Sequence, residues 1–146
     1  MGKAYDVKNE IKTILDTLVS TDLGQVIISD FRKDFWEQDI AKYPAAIIST
    51  PGISASEVKT NAQNLRTYEF EIVVIMKGEN ITHIYDVENL MDKIADAFDN
   101  NPTLNGVACG AIEPTTTPIQ AVSYQDKTFV MFSIIIRAKV MIELTF

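Results

Sequence analysis

The stretch Phe129–Phe146, FVMFSIIIRAKVMIELTF, decides how the rest of the chain is interpreted. Every second residue of this stretch is apolar, and the charged residues all fall on the other side. A period of two is typical of a β-strand with one buried face, whereas a helix repeats about every 3.6 residues. We therefore predict a strand from Thr128 to nearly the last residue, with these side chains in the core: Val130, Phe132, Ile134, Ile136, Ala138, Val140, Ile142, Leu144 and Phe146.

A run this apolar also raises the question of a membrane helix. It is shorter than the roughly 20 residues that span a bilayer, and it contains Arg137, Lys139 and Glu143. An Arg or Lys costs about 2.5 to 3.5 kcal/mol near the bilayer centre. We therefore predict a strand rather than a membrane span.

The composition is that of a folded domain. The 146 residues are 47% hydrophobic and 23% charged, which is typical of a globular protein, and we expect residues 1–146 to form one domain. The formal net charge is −7, from 20 acidic and 13 basic residues, so a phosphate-binding surface is disfavoured. Cys109 is the only cysteine, which excludes an internal disulfide. We expect it to be a small buried apolar side chain.

Two amphipathic helices are predicted. Within residues 4–20, apolar side chains recur every three or four positions at Val7, Ile11, Ile14, Leu15 and Leu18. The second helix follows Gly78, with Asn80 or Thr82 as its N-cap and Asn100–Pro102 as its stop. Its apolar positions are Ile84, Val87, Met91, Ile94 and Phe98.

The remaining strands are predicted near residues 26–28, 45–49, 65–77 and 103–114, while 53–64 either extends a strand or forms a projecting loop. Residues 30–43 predict a loop with aromatic anchors at Phe31, Phe35 and Trp36. The order of elements predicts an α+β fold, with a mainly antiparallel sheet of about four to five strands and two helices packed on one face.

Residues suited to catalysis or metal binding are few. His83 is the only histidine, so no second imidazole is available, and we expect it at the surface. Glu69 and Glu71 fall on the exposed side of their strand, without a histidine to complete a site. The first residues, MGKAYDVKNEIK, have no apolar core of signal-peptide length, and we expect no targeting signal. We expect no enzyme activity, no cofactor and no metal.

Acidic residues recur on one side of the second predicted helix. Glu88, Asp92, Asp96 and Asp99 are spaced by four and three residues, and we call them the acidic stripe. Like charges at this spacing weaken a helix by a few tenths of a kcal/mol per pair. The stripe is either a solvated helix face or a surface that meets a partner or a nucleic-acid passage.

Five segments together resemble a known family. They are VKNEIKTILDTLV, YPAAIIST before an irregular arm, LRTYEFEIVVIMKG, IYDVENLMDKIADAF, and GAIEPTTTPIQAVSYQDKTFVMFSIIIRAKVMI. In size and in this order of segments, the chain resembles the tail terminator, or tail-completion, proteins of long-tailed bacteriophages, which are also called minor tail or neck proteins. The likeness covers most of the chain.

The resemblance implies a structural protein of the virion. Members of this family form a homo-hexameric ring on the head-proximal end of the tail tube, stop its polymerisation and present a surface to the head connector or neck proteins. Assembly takes place in the host cytoplasm without a membrane, and DNA later passes through the ring without sequence-specific binding. An acidic ring would repel the phosphate backbone in transit.

We hypothesise that Arg137, Lys139 and Glu143 contact a neighbouring subunit or the tail tube. One candidate counterpart is the acidic stripe, through Glu88, Asp92 and Asp96. Two other functions stay open. One is another phage neck, head-tail connector or tail-tube-like subunit. The other is a small-molecule or peptide-binding α+β regulatory module, which predicts a discrete apolar pocket.

Overall fold

The computed structural model describes residues 3–30, 32, 36, 38, 40–60 and 63–143, with the backbone alone for residues 59 and 60. This part of the chain has the predicted α+β architecture, with two α-helices and a sheet of seven strands. The predicted anchors Phe31 and Phe35 and the last core positions Leu144 and Phe146 lie outside it. The elements are α1 (Lys3–Asp16), β1 (Gln25–Ile28), β2 (Ala45–Ile48), β3 (Gly52–Thr60), β4 (Gln63–Lys77), α2 (Ile84–Asp99), β5 (Thr115–Thr116), β6 (Gln120–Tyr124) and β7 (Lys127–Glu143).

The sheet is organised around two long antiparallel strands. β4 has 15 residues and β7 has 17, and they pair from Gln63 opposite Glu143 to Lys77 opposite Phe129. Their even-numbered side chains share one side of the sheet, which we call the inner face, and the odd-numbered ones share the outer face. The alternation predicted for both strands is confirmed by the buried inner-face residues Tyr68, Phe70, Ile72, Val74, Phe132, Ile134, Ile136, Ala138 and Val140.

Both helices cover the inner face, as predicted. Their buried residues join one apolar cluster with the even-numbered side chains of β4 and β7. The N-cap of α2 is His83, not Asn80 or Thr82. Its Nδ1 accepts a hydrogen bond from the Tyr85 N–H over 3.1 Å, and the Asp86 carboxylate accepts from the His83 N–H over 3.3 Å. This reciprocal pair satisfies donors that the start of a helix leaves unpaired.

The sheet has more strands than the four or five predicted. Its order is β1-β2-β4-β7-β5, with β3 also beside β4 and β6 also beside β7. β1 and β2 are parallel and the other pairs are antiparallel, so the sheet is mixed. The additional strands β3, β5 and β6 lie at the margins, and most of their described side chains are exposed. Backbone hydrogen bonds to a long neighbour hold such strands, so they need no apolar alternation.

The strand predicted over residues 103–114 does not form. Leu104, Asn105 and Gly106 have φ angles of 50°, 57° and 88°. Three consecutive residues in the left-handed region cannot continue an extended strand, so the chain turns here. Leu104 and Ile112 are still buried, which explains why the segment has the apolar character of a strand.

The connection between β1 and β2 packs on one end of the outer face. Trp36, Ile40 and Tyr43 contact a small cluster that includes Ile75 and Phe129. The rings of Trp36 and Tyr124 stack with centroids 4.5 Å apart, and partial burial raises the pKa of the Tyr43 phenol. This connection covers the outer face near the start of β7. At the opposite end, charged side chains of the outer face remain exposed.

We expect the two faces of β7 to differ sharply in their contribution to stability. Ile134 is fully buried on the inner face, whereas its neighbour Ile135 is half-buried on the outer face. Ile134→Ala should lower the free energy of unfolding by about 2 to 5 kcal/mol, because it leaves a cavity in the core. Ile135→Ala, the matched control, should cost clearly less.

Urea denaturation followed by the fluorescence of Trp36, the single tryptophan, measures both changes. Equal losses for the two variants would contradict the register.

Candidate functional site

The exposed end of the outer face carries two cationic side chains of β7. Arg137 and Lys139 are both exposed there, opposite Glu69 and Thr67 of β4. They are two residues apart on one strand, so they project in the same direction about 6.6 Å from each other. The alternation in the sequence predicted this placement.

Arg137 has a weak partner within its own chain. Its Nε lies 3.5 Å from Oε2 of Glu69, and the side chains of Arg137 and Glu69 are 47% and 35% exposed. A long ion pair that faces water contributes at most about 1 kcal/mol. The guanidinium has five N–H donors and can bind a second carboxylate. The sequence alone could not identify Glu69 as the partner, because it does not determine the register of β4 on β7.

The segment 109–115 runs beside β7 and forms a wall next to these cations. The Cys109 N–H donates a hydrogen bond to the Lys139 carbonyl oxygen over 2.8 Å, and Thr115 pairs with Ile135. Both ends of the wall are therefore held to β7. Between the wall and the strands lies a groove of about 460 Å³, which we call the β7 groove. Its lining includes Leu65, Thr67, Glu113, Arg137 and Lys139.

Cys109 is exposed in the wall of the β7 groove, so the expectation of a buried cysteine is wrong. The reason is local. Ala108 and Ile112 occupy the buried positions on either side of it, with 4% and 5% exposure. The thiol between them faces solvent.

Glu143 does not belong to the β7 groove. It is the last residue of β7 and exposed, six residues beyond Arg137, which corresponds to about 20 Å along a strand. It lines a separate depression together with Lys3 and Ile142. Arg137 and Lys139 therefore form a cationic pair in the β7 groove, and Glu143 lies about 13 Å beyond Lys139 on the same outer face.

The acidic stripe lies on the exposed side of α2. Glu88, Asp92 and Asp96 are all exposed, on the other side of the helix from the buried Val87 and Ile94. The Lys93 ammonium pairs with a residue outside the acidic stripe, because its Nζ binds Oδ1 of Asp22 over 2.7 Å in the turn after α1.

Within one chain, the acidic stripe and the β7 groove face opposite directions. α2 packs on the inner face of the sheet, whereas Arg137 and Lys139 project from the outer face. The sheet and its core lie between the two charged surfaces. These surfaces cannot reach each other in a single copy.

The described residues contain no group of three or more His, Cys, Asp and Glu side chains placed to hold a metal ion. Glu71, one of the two strand carboxylates, accepts a hydrogen bond from the Ser133 hydroxyl over 2.7 Å.

Among the helices of the described ranges, none is long and apolar enough to cross a membrane.

Comparison with known proteins gives structural likenesses but no family. No family model matches the chain, and no curated protein matches it. Among solved structures, it is similar to a chain in the virion of a native gene transfer agent (GTA) particle, with 13% sequence identity and a TM-score of 0.49. The alignment covers 92% of this chain and 91% of the other. A likeness of this size says nothing about function.

The Lys93–Asp22 and Arg137–Glu69 ion pairs should contribute differently to the free energy of unfolding. Lys93→Gln removes the 2.7 Å contact to Asp22, whose side chain is only 16% exposed, and should cost about 1 kcal/mol. Arg137→Gln removes a longer, more exposed pair and should cost roughly 0.5 kcal/mol or less.

Urea midpoints at low and high salt measure both effects, and salt should reduce them. A larger loss for Arg137→Gln than for Lys93→Gln would show that Arg137 has a structural role in the isolated chain.

Proposed function

We propose that this chain is a structural protein of a phage virion. In this proposal it forms a ring at the head-proximal end of the tail tube, terminates tube polymerisation and provides the surface for head joining. Two features support it. One is the resemblance of the sequence to tail terminators, and the other is the placement of opposite charges on opposite sides of the molecule.

The placement of charges is the observation that carries the proposal. Arg137 and Lys139 on the outer face have no access to the acidic stripe of their own chain, yet they complement it in sign. Two complementary surfaces on opposite sides of one molecule join copies head to tail. Head-to-tail contacts generate closed rings when the rotation per copy closes, and filaments when it does not. A two-fold dimer would instead need one self-complementary surface.

Overall charge suits a ring through which DNA passes. The formal net charge is −7, so the ring would carry a strongly negative field at neutral pH. This field repels the phosphate backbone and limits non-specific retention. DNA would therefore pass through the ring without binding to it.

The β3–β4 hairpin offers a further surface to the tube or the connector. β3 is an edge strand of the sheet, and on it Ile53 and Val58 are 57% and 74% exposed. Exposed apolar side chains on an edge strand favour pairing with another protein chain. Glu143 and Lys3 add charged groups near the end of β7.

Ring formation and length control are the properties to test. Light scattering and negative-stain electron microscopy across a range of concentrations should detect six-fold rings. Purified tail tubes should stop growing at a uniform length when the protein is added. Tubes that keep growing, although the protein binds them, would favour another neck or tube-like subunit. A small oligomer that binds no tubes would contradict the proposal.

Charge reversal at Arg137 tests the assembly surface. Arg137→Glu should weaken ring formation and tail joining, because it turns an attraction to the acidic stripe into a repulsion. Arg32→Glu is the matched control, since Arg32 is also an exposed arginine paired to a carboxylate, with Asp30 3.1 Å away, and it does not line the β7 groove. Unchanged rings and tail joining in Arg137→Glu would remove this residue from the interface.

A further inference from the structure

We propose that α2 of one copy binds in the β7 groove of the next copy, with Tyr85 as the aromatic anchor. This inference rests on the proposed head-to-tail assembly and names the contact that would produce it. The occupant of the groove is thus a second copy of this chain. Tyr85 and the wall 109–115 are the new elements of this interface.

The β7 groove has an apolar end and a cationic middle. Leu65 of β4 pairs with Met141, beyond Lys139 on the side away from Arg137. Along the floor, the order is therefore an apolar position, then Lys139, then Arg137. The wall is held at Cys109 and at Thr115 by backbone bonds to β7, so the groove keeps its shape before a partner binds. A preformed groove reduces the entropy that binding costs.

The exposed side of α2 has the same order of properties. Tyr85 comes first, and Glu88 and Asp92 follow three and seven residues later. Tyr85 is 63% exposed, and on a helical wheel it falls on the same side as Asp92, away from the core. Its ring contacts the neighbouring His83 ring at 4.0 Å. An aromatic side chain held outside the core in this way can anchor an interface.

The spacing of charges on the two surfaces matches. Glu88 and Asp92 are four residues apart on a helix, which is about 6 Å along its axis. Arg137 and Lys139 are two residues apart on a strand, which is about 6.6 Å. Two carboxylates of α2 can therefore meet two cations of β7 at the same time.

The position of Leu65 favours one orientation of the helix. With Tyr85 over Leu65, Glu88 faces Lys139 and Asp92 faces Arg137. Glu113 on the wall of the groove repels the acidic stripe, which keeps α2 on the strand side of the groove. Reversal of the helix would place Tyr85 beyond Arg137, near Ile135 and Thr115, and would leave Leu65 without an apolar partner.

Replacement of the anchor gives the first test. Tyr85→Ser should raise the protein concentration needed for assembly about tenfold, the usual loss for a central aromatic contact. Tyr5→Ser is the matched control, because Tyr5 is also an exposed tyrosine, at 44%, but lies on α1, outside α2 and the lining of the β7 groove. It should change the assembly concentration less than about twofold. Sedimentation velocity measures both, with Trp36 fluorescence to verify folding.

The cysteine in the wall reports whether the groove is occupied. Cys109 is exposed and is the only thiol, so a maleimide labels this position alone. Assembly should slow this labelling about tenfold in the wild type, and equally in Tyr5→Ser, since an occupied groove excludes the reagent. Tyr85→Ser should keep the fast rate at the same concentration. A labelling rate that does not change on assembly would overturn the inference.

A charge exchange tests the pair directly. Lys139→Glu and Glu88→Lys should each weaken assembly, and the double variant should recover most of the loss, because it restores opposite charges between copies. A double variant no better than the two single variants would overturn the pairing. If the wild type assembles only on tail tubes, tube capping serves as the readout for the same variants.

The two proposals can fail separately. Rings or capped tubes that are insensitive to Tyr85→Ser and to the charge exchange would overturn the docking of α2 while the ring function stands. A wild-type protein that neither forms rings nor caps tubes would overturn both.

Discussion

The antiparallel pairing of β4 with β7 is the contact on which the rest of the structure depends. It extends over the whole of β4, and its register assigns every side chain of both strands to the inner or the outer face. A shift of one residue would exchange the faces and place Arg137 and Lys139 in the apolar core. Burial of unpaired charges is far too costly for such a register to persist. The position of the charged surface is thus a consequence of core formation.

The two faces of the sheet then serve different purposes. The inner face holds α1 and α2 through one continuous apolar cluster. The outer face is covered at one end by the aromatic residues around Trp36, and at the other it presents charged side chains to solvent. Because the exposed charges contribute little to folding, they are available to a partner. Stability and association are therefore located on opposite sides of the same two strands.

The sequence predicted the long elements well and the short ones poorly. In β4, β7 and both helices, the apolar period repeats often enough to identify the element and its buried side. β3, β5 and β6 gave no such signal, because pairing with a long neighbour holds them rather than side-chain burial. The turns at Leu104–Gly106 were mistaken for a strand, since the buried Leu104, Ala108 and Ile112 imitate one. The Asn105-Gly106 pair favours positive φ angles and was the signal of a turn.

The candidate site was predictable only in part. The alternation of apolar residues in β7 predicted that Arg137 and Lys139 lie together on the outer face. The helical spacing predicted that the acidic stripe lies on one side of α2. The wall 109–115 was not predictable, because its path depends on contacts of Cys109 and Thr115 with a strand far away in the sequence. Glu143 was grouped with Arg137 and Lys139 because all three are odd-numbered and therefore lie on the same face of β7. It is nevertheless four residues further along the strand than Lys139.

The hydrogen bond between the Cys109 N–H and the Lys139 carbonyl oxygen has a consequence for how this surface can evolve. The bond uses only backbone atoms, so residue 139 supports the wall whatever side chain it carries. Substitutions at positions 137 and 139 can therefore change the charge of the surface while the scaffold around it persists. Related chains could diverge in their choice of neighbour by exchanging these two side chains, without any change of fold.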